Sequence, residues 1–486
     1  MTQSGKKIRL DNIGIIKDST IELKGLTVVT GHNNSGKTTV GKTLFAILSA
    51  VEDLQQKALK DKVDFARSKE NEIRDMLGMN RLFHFESMSP MIRIGKAGTD
   101  IGTKEGQYLG DYLSGNGRSD FGDFADLAAY VRQLRESAMN ISDEALKDIL
   151  SEWGNGKRMT KRSLDSKRNQ LVKSLDNLFE SLCSDPELTQ YANKRIIRSL
   201  QKEFNGQILP VRYPDVKGTI EFYSDDTKCF LIHVLKNELA DNAKTYFSDA
   251  YRDVIFIDDV FALDKLGEAG RNYMDVYRFL NNRQERQWSE RFESQGHNQI
   301  LVEKLKNRSD NLFEEMINQN KAEKLLRKMD EVFPDKIILS DDQYICSQSK
   351  LDVRNLAAGS KLFAIIKKLL ENGELTADTL LILDEPESHL HPAWQNRFAE
   401  IIVLLVKYLE MHVLLTTHSP NFLMALDVYA KEYEIWDGTT MYCTEQSENA
   451  YMVRYSNVKN DLKTAYNKLA TPLFELQSRK LRNSDD

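Results

Sequence analysis

The chain has 486 residues, 29% charged and 41% hydrophobic, with a formal net charge of −6. Such a length points to two or three structural units, and the acidic balance gives no overall attraction to nucleic acid, so any such contact needs a local basic patch. No apolar run approaches a membrane span, Met1 to Lys7 lacks a hydrophobic signal core, and four scattered cysteines (Cys183, Cys229, Cys346, Cys443) argue against a disulfide framework or a zinc site, so a soluble cytoplasmic protein is expected.

In chain order, residues 1–50 read as short strands around turns. Ile8-Arg9-Leu10 and Ile21-Glu22-Leu23 flank a turn at Asn12-Ile13-Gly14. Leu26-Thr27-Val28-Val29 predicts a further strand, and Val40 to Leu48 a helix. Between them runs Gly31-His32-Asn33-Asn34-Ser35-Gly36-Lys37-Thr38-Thr39, which fits the Walker A pattern at each fixed position. Glycines at both ends let consecutive N–H groups curl around a β-phosphate, and the following helix directs its positive end at the same oxygens. The expected nucleotide-binding residues are therefore Gly31, Asn34, Ser35, Gly36, Lys37, Thr38 and Thr39. Lys37 can reach the β- and γ-phosphates of the nucleotide, and Thr38 can hold Mg²⁺ through its hydroxyl.

Residues 51–205 read as a polar, mostly helical insertion. Leu164, Leu171, Leu175, Leu178 and Leu182 form one apolar stripe at helical spacing. The glycine-rich stretch from Gly95 to Gly122 reads as a connection between helices, since no strand or lysine accompanies it. Lys157, Arg158, Lys161, Arg162, Lys167 and Arg168 form a basic run, read as a solvated helix face before a phosphate contact. Strands return over 206–265: Thr219 to Tyr223 and Cys229 to Ile232 form a hairpin around Ser224-Asp225-Asp226, and Val254 to Ile257 a buried strand. Asp258-Asp259 at its end reads as a capped turn rather than a metal site. A charged helical segment occupies 266–335, without the heptads of a long coiled coil.

Three signals mark 336–486. Leu380-Leu381-Ile382-Leu383 followed by Asp384-Glu385-Pro386 predicts a strand that delivers Asp384 to Mg²⁺, usually through water, and Glu385 to an attacking water. Leu414 to Thr417 predicts a second strand ending at His418, and Trp394, Phe398, Ile401, Ile402, Leu405 and Leu409 mark an amphipathic helix between the two. Strand, helix, strand makes Asp384 and His418 neighbours on adjacent strand ends, with His418 a γ-phosphate sensor. Asn355 to Lys361 is a small-residue turn, expected to open a helix over Leu362 to Leu370 and to offer a second anion site.

In this order the motifs resemble those of ABC-type ATPase heads, with the turn at Gly359 similar to their signature motif. The resemblance implies an α/β P-loop fold, a mixed sheet flanked by helices, here carrying the large helical insertion. It implies a homodimer in which two heads sandwich two nucleotides. On that basis Lys37, Thr38 and Asp384 bind ATP-Mg²⁺, Glu385 is the general base and His418 the switch histidine. Ala358, Gly359 and Ser360 act on the nucleotide of the other head. The serine usual before the signature glycine is Ala358 here, which puts one γ-phosphate hydrogen bond in doubt. No glutamine is assigned to a Q-loop.

Glu387-Ser388-His389-Leu390-His391-Pro392 is similar to the Glu-x-His-Leu-His-Pro run of OLD-like bacterial ATPases, whose signature often reads Ala-Ser-Gly-x-Lys, close to Ala357 to Lys361. His389 and His391, at i and i+2 in an irregular segment, are not read as a metal pair. OLD-like ATPases commonly serve in anti-phage defence, often with a nuclease. The 66 residues after Pro420 are too few for the TOPRIM nuclease that follows the ATPase in OLD proper. A separate effector, a TOPRIM-type or HNH nuclease, is therefore expected, as in the two-component systems PARIS and Septu. Chain size and the flanks of the phosphate loop favour the PARIS type. The further partners implied are a higher homo-oligomer and a phage-encoded trigger protein. The alternative is a DNA-binding repair or SMC-like ATPase, whose kin carry long coiled-coil arms that this insertion lacks. A transporter ATPase fits poorly with so large an insertion and no membrane segment.

Overall fold

The apolar runs 26–29, 254–257, 380–383 and 413–415 become strands of one mixed sheet. Across it lie β14 (Val453–Asn457), β13 (Thr439–Gln446), β3 (Leu26–Thr30), β12 (His412–Thr417), β11 (Thr379–Asp384) and β8 (Asp253–Ile257). Five run parallel and β14 lies antiparallel at one edge. Every residue of β3 and β12 is buried, as parallel strands covered on both faces require. This computed structural model describes residues 5–55, scattered positions between 57 and 72, 124–144, 146–147, 160–183, 187–240, 244–245, 251, 253–266, 296–306, 323–340, 343–447 and 451–482. The glycine-rich stretch expected as a connection, Lys157 and Arg158, and most of the helical segment expected over 266–335 lie outside the described residues.

Alternation along the strands divides the core in two. Leu381 and Leu383, Val413 and Leu415, and Val28 face helices α6 (Ala358–Glu371), α7 (Pro392–Leu409) and α8 (Pro420–Glu432). Leu380, Ile382, Leu414 and Val29 face the other way, toward α1 (Lys37–Val51) and a second, antiparallel sheet. That sheet has the order β2 (Ser19–Leu23), β1 (Lys6–Asp11), β4 (Gly218–Ser224), β5 (Thr227–Leu235), β6 (Glu238–Leu239), with β7 (Lys244–Thr245) also on β5. The expected hairpin is present: Asp225 and Asp226 both take positive φ (48° and 61°), as a two-residue turn of matching twist demands. The strand–helix–strand unit β11–α7–β12 is also as expected, with β11 and β12 paired in parallel.

The chain divides into two compact units, Met1–Glu52 with Ala192–Asp486, and Asp53–Tyr191. In the second, α2 (Phe124–Asn140) packs on α3 (Lys161–Cys183), whose stripe Leu164, Leu171, Leu175, Leu178 and Leu182 is buried. Arg168 of the basic run is turned onto Asp143 and Asp165. Helix α4 (Leu188–Glu203) leads back into the first unit, which also holds α5 (His297–Lys306), the hairpin β9 (Ile337–Ser340) with β10 (Gln343–Cys346), and the C-terminal α9 (Leu462–Arg482). Among the described residues no helix is long and apolar enough to cross a membrane. None of the four cysteines is in a disulfide.

Two expectations change in detail. The helix expected from Leu362 begins at Ala358, because Ala357 is extended (φ −60°, ψ 145°) and Lys361 N–H already donates to its carbonyl at 3.0 Å; the small residues form the first turn itself. At the end of β8, Asp259 does cap the following turn, accepting from Phe261 N–H at 2.8 Å. Asp258 instead lies 2.8 Å from Nε2 of His297, whose Nδ1 is 2.6 Å from Glu203.

His297 thus joins three elements: the end of α4, the end of β8 and the start of α5. Burial alone would lower its pKa, but the hydrogen bonds and charges of Asp258 and Glu203 overcome this and lift it from 6.5 to about 9. A folded value above the unfolded one stabilises fully below pH 6.5, and that contribution is lost as the pH rises through about 9. We expect His297→Gln to cost on the order of 2 kcal/mol at pH 6 and far less at pH 10. Denaturant unfolding of both proteins across this range checks it; a constant difference would exclude the linkage.

Candidate functional site

The site begins where β3 ends. Thr30 is followed by a loop whose backbone reverses at Asn34 (φ 64°) and Gly36 (φ 74°), and α1 starts at Lys37. Two contacts show why glycine is needed. A Cβ on Gly31 would stand 2.0 Å from Thr444 Oγ1 of β13, and one on Gly36 3.0 Å from the Ile15 side chain, in a left-handed conformation besides. The loop is held from outside by Tyr455 of β14, whose hydroxyl donates to Gly36 O at 2.7 Å. Inside it, Ser35 Oγ donates to His32 O at 2.6 Å and Thr39 N–H to Gly36 O at 3.0 Å. Lys37 is almost wholly buried; its Nζ donates to Gly31 O (3.1 Å) and His32 O (2.9 Å).

The acids come from the neighbouring strand ends. Register pairs Asp384 with Thr416 and Thr417 with Thr30, so β11, β12 and β3 finish level at one edge. Thr38 Oγ1 donates to Asp384 Oδ2 at 2.7 Å and Thr416 Oγ1 to Oδ1 at 2.6 Å. Burial raises the Asp384 carboxyl above its usual value, the two hydroxyls oppose this, and the charges of Glu385 and Asp258 add to it. A bound divalent cation would reverse that balance, and the hydroxyl and carboxylate oxygens of Thr38 and Asp384 are the hard donors Mg²⁺ takes.

Glu385 departs from the strand. Its φ of 48° is left-handed, a costly conformation for a residue with a Cβ, and Pro386 opens a 3₁₀ turn over Pro386–His389. The bend brings Glu385 Oε1 to 3.1 Å from Lys37 Nζ and Oε2 to 3.2 Å from His418 Nδ1. The predicted Lys37, Thr38, Asp384, Glu385 and His418 are therefore assembled in one place. Of Ala358, Gly359 and Ser360, Gly359 packs against the end of the turn that follows Glu385: a Cβ on it would meet His389 O at 3.1 Å and Leu390 at 3.2 Å. Lys361, buried, is paired with Asp264 at 2.6 Å and donates to Arg354 O at 3.1 Å, so it braces the turn.

Sequence reasoning missed Thr416, which donates to Asp384 and accepts from Glu385 N–H at 3.0 Å. It also missed Tyr455, and gave Glu387 no role. The pair Thr416-Thr417 before His418 was the available signal: hydroxyls at a strand end beside a carboxylate have few other uses.

The family model described as AAA ATPase domain matches residues 6–423. No curated protein matches the chain in sequence. Among solved structures the chain is similar to the SMC head domain from Thermotoga maritima, at 9% identity and a TM-score of 0.33, covering 93% of this chain and 98% of that one. It is also similar to an Smc head domain with an extended coiled coil, bound to the C-terminal domain of ScpA, from Pyrococcus furiosus; identity is 11%, TM-score 0.35, and coverage 97% and 98%. A third is the Smc head domain with a coiled coil and joint from Pyrococcus yayanosii, at 11% identity and TM-score 0.34, covering 96% and 99%.

Two substitutions probe this geometry. Gly31→Ala should destabilise the protein by about 1–3 kcal/mol and weaken nucleotide binding, and Thr444→Ala should restore part of both. Thermal melts and nucleotide titrations of the single and double variants measure it; no rescue would mean the loop strains elsewhere. Thr416→Val strands a carboxylate oxygen and a backbone N–H, at about 1–3 kcal/mol in chemical denaturation. A neutral result would show that neither group depends on the hydroxyl.

Proposed function

The chain belongs to the AAA ATPase domain family, and we propose that it binds and hydrolyses ATP as the sensor and scaffold of a bacterial anti-phage system. The observation that carries the enzymatic part is the run Lys37–Glu385–His418 beside Thr38–Asp384–Thr416. A cation for phosphates, a magnesium pair, a carboxylate for water and an imidazole stand together, joined by hydrogen bonds at Asp384 and by close charged contacts at Glu385. Phosphoryl transfer asks for positioning and charge at these points.

The triphosphate is cradled by the N–H groups of residues 31–39 and takes Lys37 from Glu385, which leaves that carboxylate free to orient a water. Thr38 and Asp384 would hold Mg²⁺, which would supply positive charge against the phosphates. His418, next to Glu385, is placed to sense the γ-phosphate. Ala358, Gly359 and Ser360 act on the nucleotide of a second copy, so that ATP governs a homodimer and, through it, a higher homo-oligomer.

The defence role rests on Glu387 to Pro392 and Ala357 to Lys361, which are similar to the corresponding runs of OLD-like ATPases. The finer reading is a likeness to the PARIS ATPase AriA, with the Septu ATPase PtuA next. In it the assembly restrains a separate TOPRIM-type or HNH nuclease until a phage-encoded trigger binds. Linkage requires that trigger to favour the releasing state over the holding one.

The test is purification with the neighbouring gene product, comparing wild type, Lys37→Ala and Glu385→Gln. Lys37→Ala should lose nucleotide binding and assembly together. Glu385→Gln should lower turnover by about 10²-fold or more and retain bound ATP. Equal behaviour of all three would reduce the nucleotide to a structural ligand, and a gene neighbourhood with no nuclease or toxin would remove the defence reading.

A further inference from the structure

We infer that Glu387 is a positioning residue for His418: its buried carboxylate fastens the end of β12 to the turn that carries Glu385. Glu387 is 2% exposed and sits within that turn. Its Oε1 accepts from Thr417 Oγ1 at 2.5 Å and from His418 N–H at 3.1 Å, and lies 3.8 Å from His418 Nδ1. Charge-assisted bonds of this kind are about twice as strong as neutral ones.

His418 needs such an anchor. Its ring is over a third exposed, and Nδ1 approaches Glu385 Oε2 at 3.2 Å without making a hydrogen bond. The ring's place beside Glu385 is thus governed by its backbone. The residue after it is tied to the same turn by a second route: Ser419 Oγ donates to Gln395 Oε1 at 3.1 Å, and Gln395 Nε2 donates to Leu390 O at 3.2 Å and Glu387 O at 3.4 Å. Thr417, His418 and Ser419 are all held to the segment 387–390, and Glu387 is the charged member of the clamp. Glu387 Oε2 finds no partner among the described residues, and burial raises the carboxyl above its usual value. An apolar side chain would fill this space without that cost, so packing does not account for a carboxylate here.

The inference rests on the ATPase reading, and the experiment separates the two. Full-length wild type, Glu387→Gln, Glu387→Ala and Thr417→Val are compared by steady-state ATP hydrolysis and, without nucleotide, by backbone hydrogen exchange over 416–419. Gln keeps an oxygen that accepts the same two bonds, so it should stay within about threefold of wild type in kcat and in exchange. Ala should lower kcat by about tenfold or more, leave KM within about twofold and speed exchange by about tenfold. Should Ala fail to fold, Thr417→Val, which removes one of the two donors, should move both readings the same way by a smaller factor. Gln as impaired as Ala would overturn the inference, as would exchange and kcat unchanged in Ala or, failing that variant, in Thr417→Val. If wild type does not hydrolyse ATP, the ATPase reading falls, and the exchange comparison still decides whether Glu387 holds His418.

Discussion

The carboxylate of Asp384 is shared between two hydroxyls, one on the helix that follows the phosphate loop and one on the strand beside its own. Both bonds require β12 to lie between β3 and β11, with Asp384 opposite Thr416. A slip of one residue would turn Thr416 to the other face and leave a buried carboxyl half satisfied. Thr416 then accepts the N–H of Glu385, so the geometry of the second acid is inherited from the first. The left-handed turn at Glu385 is strained, and a residue stays in such a conformation only where its surroundings over-determine it. Here the surroundings are Thr416 on the backbone and Lys37 and His418 beside the side chain.

Much of this was legible in the sequence because it is local. Glycine spacing gave the loop, apolar runs gave β3, β11 and β12, and the intervening helical pattern made β11 and β12 neighbours. The leucine stripe of α3 and the Asp225-Asp226 hairpin are periodicities of 3.6 and 2, each readable in a short window. The remainder is long-range. Nothing near β3 reveals that β13 lies on its other side, so Thr444 and Tyr455 could not be assigned to the loop. The same holds for Glu203 and His297, joined only in the fold. Lys361 misleads in the opposite sense: it stands in a motif associated with phosphate, yet its ammonium is spent on Asp264 and a carbonyl.

Away from the site, lysines act as braces between segments. Lys367 donates to Asp330 at 2.6 Å and to the carbonyls of Phe333 and Asp335, which uses all three of its protons. Lys304 bridges Asp253 and Glu374 at 2.8 and 3.0 Å, tying β8 to the segment before β11. Removing one partner of such a pair strands the charge of the other, so each link depends on both of its members. A formal net charge conveys none of this.

The position of β3 has a consequence for how the protein is made. This strand is buried on all its residues and pairs with β12 on one side and β13 on the other, and the loop that follows it leans on β14. During synthesis β3 emerges first and waits, unpaired and apolar, while everything between it and residues 412–457 is translated. Contacts of such separation form late and slowly, and they leave sticky intermediates in the interval. A ribosome-bound chain that stops short of β14 therefore has its phosphate loop in sequence but lacks the walls that shape it. The walls of the phosphate loop are complete only once β14 has been made.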